Sequence, residues 1–203
     1  MNSQIHWENI YTRKLPTEVS WYQSIPKISL AFIQETKLEK GAAIIDVGGG
    51  SSTLVDHLLN LGFTQLTVLD IAEQAIEKSK ARLGSRAQRV RWLVQDITQL
   101  HDGRRYDLWH DRALFHFLLK EDDRKKYFLA LQCSLKPSGF VILATFGPEG
   151  PEQCSGLVVR RYSAGGLQKE LGKGFHLLRS VEEYHQTPAG GQQQFVYCLF
   201  HKR

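Results

Sequence analysis

Residues 44–58, IIDVGGGSSTLVDHL, end an apolar run on one carboxylate, Asp46, two residues before three consecutive glycines. Glycine strips such a turn of side chains, so a ligand can approach the backbone and positive φ carries no steric cost. A dinucleotide fingerprint needs G-x-G-x-x-G, and Thr53 stands at its third glycine position. A carboxylate beside the turn also suits a pyrophosphate poorly. It suits a cationic or zwitterionic ligand such as a sulfonium amino acid, whose ammonium group Asp46 would bind directly or through water. Asp70 closes LTVLD, where a carboxylate takes both hydroxyls of a ribose. Asp96 and Ile97, in QDIT, stand where an adenine amino group and ring would be received. WHDR adds His110 and Asp111 at a fourth edge position, candidates for catalysis and for positioning a nucleophile that must present a free lone pair. Each residue has a plainer alternative: Asp46 bonding the turn's amides, Asp96 capping a helix, His110 bonding backbone.

Positioning these groups at one edge requires alternating strands and helices. Short apolar runs do alternate with amphipathic stretches from about residue 43 onward. AAIIDV, LTVLD, VRWLVQD, YDLWHD and FVILATF read as five strands. SSTLVDHLLNLG, AEQAIEKSKARLG and EDDRKKYFLALQCSL read as helices, the first two stopped by Gly62 and Gly84. GPEGPEQCSG follows as a Gly/Pro-rich loop, then SAGGLQKELG with Ser163 as N-cap. FHLLRSVEEYHQ and QFVYCLFHK flank the turn signal TPAGGQ and predict a hairpin. The expectation is an α/β fold, doubly wound, with a mostly parallel sheet and an antiparallel edge. Residues 1–40 stand outside the alternation as an aromatic helical segment, and residues 41–203 form the sheet core of one domain.

Composition removes other classes. The chain has 203 residues, 42% hydrophobic and 23% charged, ordinary for a globular protein with a sizeable core. The net charge of +5 comes from scattered Lys and Arg, so nucleic acid is not the expected partner. Three cysteines without CxxC spacing argue against a disulfide framework or a metal site and fit a reducing compartment. The N-terminus lacks the pattern of a signal peptide, and no run reaches membrane-spanning length, so the expected location is cytoplasmic.

IIDVGGGSS, LTVLDIA, VQDIT and YDLWHDRALFHFL, in this order and spacing, resemble the class I S-adenosylmethionine-dependent methyltransferases over roughly residues 41–146. The resemblance implies a Rossmann-like seven-stranded sheet, completed by the C-terminal hairpin, and S-adenosyl-L-methionine as cofactor. It implies cofactor contacts at Asp46, Gly48, Gly50, Asp70, Ile71, Asp96, Ile97 and Arg112. Many members carry Cys or Ala where Gly49 stands, and glycine there is expected to be harmless. Trp7-x-x-x-Tyr11, followed by Ser20-Trp21-Tyr22, is similar to the branch that includes the elongation factor 1A lysine methyltransferases. That likeness implies cofactor contact for Trp7, Tyr11 and Trp21, in an N-terminal helical lid; packing over the sheet is the alternative. The branch tends to carry an acidic residue and Lys after the fourth strand, and Asp111-Arg112 keeps those charges with a different geometry. Small-molecule enzymes of the thiopurine type share the aromatic layout. The leading acceptor is therefore a small molecule, the second a protein lysine, and the third reading a binding protein that has lost transfer. Nucleic-acid methylation would call for D/N-P-P-Y/F-W after the fourth strand, and HDRA stands there instead.

Overall fold

A computed structural model describes residues 3–101 and 103–203. Five parallel strands form the first part of the sheet: β1 (Ala43–Val47), β2 (Gln65–Asp70), β3 (Val90–Val94), β4 (Tyr106–Arg112) and β5 (Leu135–Phe146). Helices α3 (Leu54–Asn60), α4 (Glu73–Leu83) and α5 (Glu121–Ser134) connect them, and α6 (Ala164–Leu171) precedes the hairpin β8 (Phe175–Gln186) and β9 (Gln192–Lys202). The strand order is β3-β2-β1-β4-β5-β9-β8, with β9 antiparallel to both its neighbours. The expected seven-stranded sheet with an antiparallel hairpin is therefore present. Among the described residues, no helix is long and apolar enough to cross a membrane.

Alternation along β1 splits the core into two layers. Ile44 joins Phe32, Leu54 and Leu58 on one face, while Ile45 and Val47 join Trp109, Tyr127 and Leu131 on the other. The chain leaves β1 toward β2 on one side and returns to β4 on the other. The carboxyl ends of β1 and β4 therefore bound the crevice in which such sheets bind ligands. Gly62 ends α3 at φ +89°, and Ser163 caps α6 by accepting from Gly166 N at 3.1 Å.

Three local expectations are corrected. The stretch from Val19 to Pro26, expected to be helical, is an irregular strap between α1 (Ser3–Arg13) and α2 (Lys27–Glu35). The loop after β5 contains a small hairpin, β6 (Gln153–Cys154) with β7 (Leu157–Val158), and β5 begins five residues earlier than the apolar run suggests. A strap without regular structure needs partners for its carbonyls from elsewhere. Arg112 donates to Trp21 O (2.8 Å), Thr53 to Gln23 O (2.9 Å), His185 to Ser20 O (2.9 Å) and His57 to Ser24 O (3.0 Å). Both histidines thus do more than occupy the surface.

Helix α1 is docked by a cap supplied in trans. The N-cap of α4 is Ala72, which has no capping side chain, and the Glu8 carboxylate accepts from Glu73 N (2.6 Å) and Gln74 N (3.1 Å) instead. Two of the helix's orphan amides are thereby satisfied, next to the positive end of its dipole. Glu8→Ala is expected to cost about 1 kcal/mol, on the scale of a lost cap. Hydrogen–deuterium exchange should show faster exchange in α1 and the first turn of α4, with the sheet unchanged.

Candidate active site

The glycine turn after β1 is tied to β2: Gly48 N and Gly49 N both donate to Leu69 O, at 2.7 and 3.1 Å. A Cβ on Gly49 would lie 2.5 Å from Asp46 Oδ2, and one on Gly50 would lie 2.5 Å from Asp70 Oδ2. Gly49 is therefore not a neutral choice in this chain. With no side chain in the way, the turn lets two carboxylates lie against its backbone from either side.

Three adjoining cavities run along this edge. One, lined by Ser29, Asp46, Gly48, Gly49, His110 and Arg112 among others, holds only about 40 Å³. It shares Tyr11, Trp21, Gly48 and Arg112 with a second of about 70 Å³ that reaches Asp70 and Ile71. The second shares Trp7, Ile71, Leu114 and Phe117 with a third of about 530 Å³ that reaches Asp96 and Ile97. The sequence-predicted residues of three strand ends thus line one continuous trench. Its roof is aromatic: Trp7 packs edge-on against Trp21 (5.8 Å) and Phe117 (5.0 Å), and Tyr11 lies 6.3 Å from Trp21. The first two cavities have room for only a few waters, so a nucleoside enters only if this roof shifts.

The three carboxylates differ in their bonding. Asp46 uses Oδ1 for His110 Nδ1 at 2.7 Å, while Oδ2 is buried without a partner among the described residues. Asp70 accepts from Ala72 N at 2.9 Å. Burial pushes its carboxyl up to about 7 against the pull of the Ala72 and Ile71 amides, and the nearby Asp46 charge pushes the same way. Asp96 gives Oδ1 to Thr98 N and Thr98 Oγ1, both at 2.8 Å, so it caps the turn after β3 while also lining the trench.

The fourth edge separates the residues expected to be catalytic. His110 lies beneath the glycine turn with both ring nitrogens engaged, Nδ1 by Asp46 and Nε2 by Ser29 Oγ at 2.8 Å. Asp111, next along β4, has no exposed surface and lines none of these cavities; its carboxylate accepts from Tyr127 OH, Leu114 N and Phe115 N. Adjacent residues on a strand face opposite layers, so the pair cannot act together at one atom. For the base role expected from sequence, His110 thus has no free ring nitrogen here and Asp111 no trench-facing carboxylate. Arg112 does reach the trench, held by Tyr197 OH (2.6 Å) and stacked over Phe195 (4.4 Å), with Nη2 lacking a partner among the described residues.

Sequence reasoning missed several participants. Ser29 carries no motif, and Tyr197 and Glu183 lie in the C-terminal hairpin. Tyr197 OH donates to Glu183 at 2.9 Å, so the hairpin fixes Arg112 from behind. Leu114 and Phe117 line two cavities each, and Cys154 lines the second. Burial raises the Cys154 thiol to about 12, which makes it a poor nucleophile.

A family profile described as a methyltransferase domain matches residues 45–141. Over that stretch the chain is similar to methyltransferase domains. It is 28% identical over 119 residues to malonyl-[acyl-carrier protein] O-methyltransferase 2 of Ilyobacter polytropus, covering 58% of this chain and 44% of that protein. It is 22% identical over 199 residues to human EEF1A lysine methyltransferase 2, covering 89% of this chain and 77% of that one. The chain thus spans less than half the length of the first relative. Among solved structures, the fold is similar to that of Burkholderia thailandensis 1,6-didemethyltoxoflavin-N1-methyltransferase. The match has a TM-score of 0.73 at 19% identity and covers 98% of this chain and 84% of that one.

The residues that line the trench fit S-adenosylmethionine. Asp46 and Arg112 line the same small cavity, and Asp46 Oδ2 and Arg112 Nη2 have no partner among the described residues, an oppositely charged pair suited to the ammonium and carboxylate of an amino acid. Asp70 suits a ribose diol, and Asp96 with the buried Ile97 suits adenine. A sulfonium with an ammonium group would also relieve the repulsion that Asp46 and Asp70 impose on each other.

Proposed function

We propose that the protein transfers a methyl group from S-adenosylmethionine to a small-molecule nucleophile by in-line displacement. The observation that carries this reading is the trench itself, with Asp46, Asp70 and Arg112 in cavities only a few waters wide beneath an aromatic roof and Asp96 in the wider cavity beyond. Such enclosure suits an acceptor small enough to be covered.

When bound, the cofactor supplies an electrophilic methyl group on a sulfonium. The chain's own work is alignment and drying. Asp46 and Arg112 would hold the amino-acid end, Asp70 the ribose, and Asp96, Ile71 and Ile97 the adenine. Trp7, Tyr11, Trp21 and Phe117 would exclude water. Tyr197 and Glu183 keep the Arg112 guanidinium in place. With His110 bonded at both nitrogens and Asp111 in the opposite layer, neither takes a proton from the acceptor, which favours a nucleophile that arrives with its lone pair free.

A second reading, a protein lysine acceptor, is favoured by the similarity to human EEF1A lysine methyltransferase 2, which covers 89% of this chain. Labelled S-adenosylmethionine tests both readings when offered with a panel of small thiols, amines and phenols, and separately with an eEF1A preparation. Label in a small product supports the first reading, and label in protein alone overturns it in favour of the second. Calorimetric binding of S-adenosylhomocysteine with no turnover on any acceptor would leave a binding protein.

A further inference from the structure

Asp46, His110 and Ser29 form a buried chain across three elements. Asp46 is the penultimate residue of β1, His110 stands opposite it on β4, and Ser29 lies in α2. Their exposures are 4%, 2% and 0%. The bonds are 2.7 Å from His110 Nδ1 to Asp46 Oδ1 and 2.8 Å from His110 Nε2 to Ser29 Oγ.

We propose that Ser29 and His110 are positioning residues that hold the Asp46 carboxylate by one oxygen and turn the other toward the ammonium group of the ligand. This rests on the S-adenosylmethionine reading above. A carboxylate only accepts, so Nδ1 carries a proton, and in the neutral ring Nε2 accepts from the Ser29 hydroxyl. The chain therefore has one self-consistent direction of donation, from Ser29 through His110 to Asp46. Oδ1 is engaged by His110, and Oδ2 is left buried and without a partner among the described residues beside Gly49, whose missing Cβ leaves it room. A ring locked at both nitrogens cannot rotate, so the carboxylate plane is set before a ligand arrives. The order Ser–His–Asp also matches a hydrolytic triad, but a serine with no exposed surface inside a helix is a support rather than a nucleophile.

The proposal separates the two halves of the ligand. S-adenosylhomocysteine carries the amino-acid end, and 5′-methylthioadenosine has the same nucleoside without it. His110→Ala is expected to weaken S-adenosylhomocysteine at least tenfold and 5′-methylthioadenosine less than twofold, by calorimetry. Ser29→Ala should give a smaller loss in the same direction. His110→Asn, whose amide can donate to Asp46 Oδ1, should recover part of it. Equal losses for both ligands, or no loss for either, would overturn the proposal. Where His110→Ala fails to fold, nitrogen-15 spectra of the wild-type imidazoles decide, with His110→Asn assigning the signal. A protonated Nδ1 with bare Nε2 is expected, and a protonated Nε2 would overturn it. If wild-type protein binds neither nucleoside, the cofactor reading itself fails, an outcome distinct from selective loss in the variants.

Discussion

Asp70→Ala is expected to weaken binding of S-adenosylhomocysteine by about 2–4 kcal/mol, roughly 30- to 900-fold, through loss of two charged hydrogen bonds to the ribose. Asp70→Asn should lose less and should also abolish a pH dependence. Because burial holds the Asp70 carboxyl at about 7 in the ligand-free protein, the ionised acceptor becomes tenfold scarcer at pH 6 than at pH 8. Wild-type affinity should therefore rise about tenfold from pH 6 to pH 8, with release of about half a proton on binding near pH 7. Calorimetry in buffers of different ionisation enthalpy measures both. The stability effect has the opposite sense. A folded value above the unfolded one means that the group's contribution is fully present below about pH 4 and is lost as pH rises through about 7. Ligand-free Asp70→Asn should accordingly gain on wild type in thermal melts at pH 8 while binding worse, the pattern of a strained functional residue. A wild-type affinity flat between pH 6 and 8 would show that Asp70 does not hold the ribose.

Asp111→Ala should produce the largest loss of stability, on the order of 3 kcal/mol, because it leaves several buried donors without an acceptor. Asp111 Oδ2 accepts from Tyr127 OH at 2.7 Å, and that hydroxyl accepts from Trp109 Nε1 at 2.9 Å. Oδ1 accepts from Leu114 N at 3.0 Å and Phe115 N at 3.3 Å, closing a turn in which Ala113 is held at φ +70°. A non-glycine residue in that region stores strain, and the Asp111 bonds keep it there. Asp111→Asn retains an acceptor and should cost about half as much. Burial raises the Asp111 carboxyl to about 6, opposed by the Tyr127 hydroxyl, the Leu114 and Phe115 amides and the His110 ring. Its contribution is thus complete below about pH 4 and declines as pH rises through about 6, so the cost of Asp111→Asn should shrink over that interval. Urea unfolding at pH 4.5 and pH 7.5 tests this, and a cost that grows with pH would contradict it. Because the turn carries Arg112 and Leu114 to the trench, cofactor affinity should fall with stability.

The trench carboxylates on β1 and β2 and just after β3 were legible because each is the last carboxylate of an apolar run in an alternating pattern. A parallel sheet places all such ends at one edge. Asp46, Asp70 and Asp96 needed no more than that periodicity. His110 and Asp111 show the limit of the same logic. As neighbours on a strand they face opposite ways, but which one faces the glycine turn depends on β4 lying beside β1 in register with Asp46. Ser29 had no local signal at all, since its role depends on α2 crossing the end of a strand distant in the chain. The strap from Val19 to Pro26 reads as helix from its aromatic and apolar residues, yet its carbonyls bond to side chains from β4, α3 and β8 instead.

The sequence by itself determined the alternating architecture, the edge at which ligand chemistry collects and the class of ligand, because these follow from side-chain period and from carboxylates placed beside glycine. Tertiary structure alone decided which of two adjacent residues supports the site, which arginine nitrogen and carboxylate oxygen remain unpaired, and how tightly the aromatic roof closes. Those outcomes depend on distances between segments that no local pattern encodes, and burial then turns small differences in distance into large differences in charge and bonding.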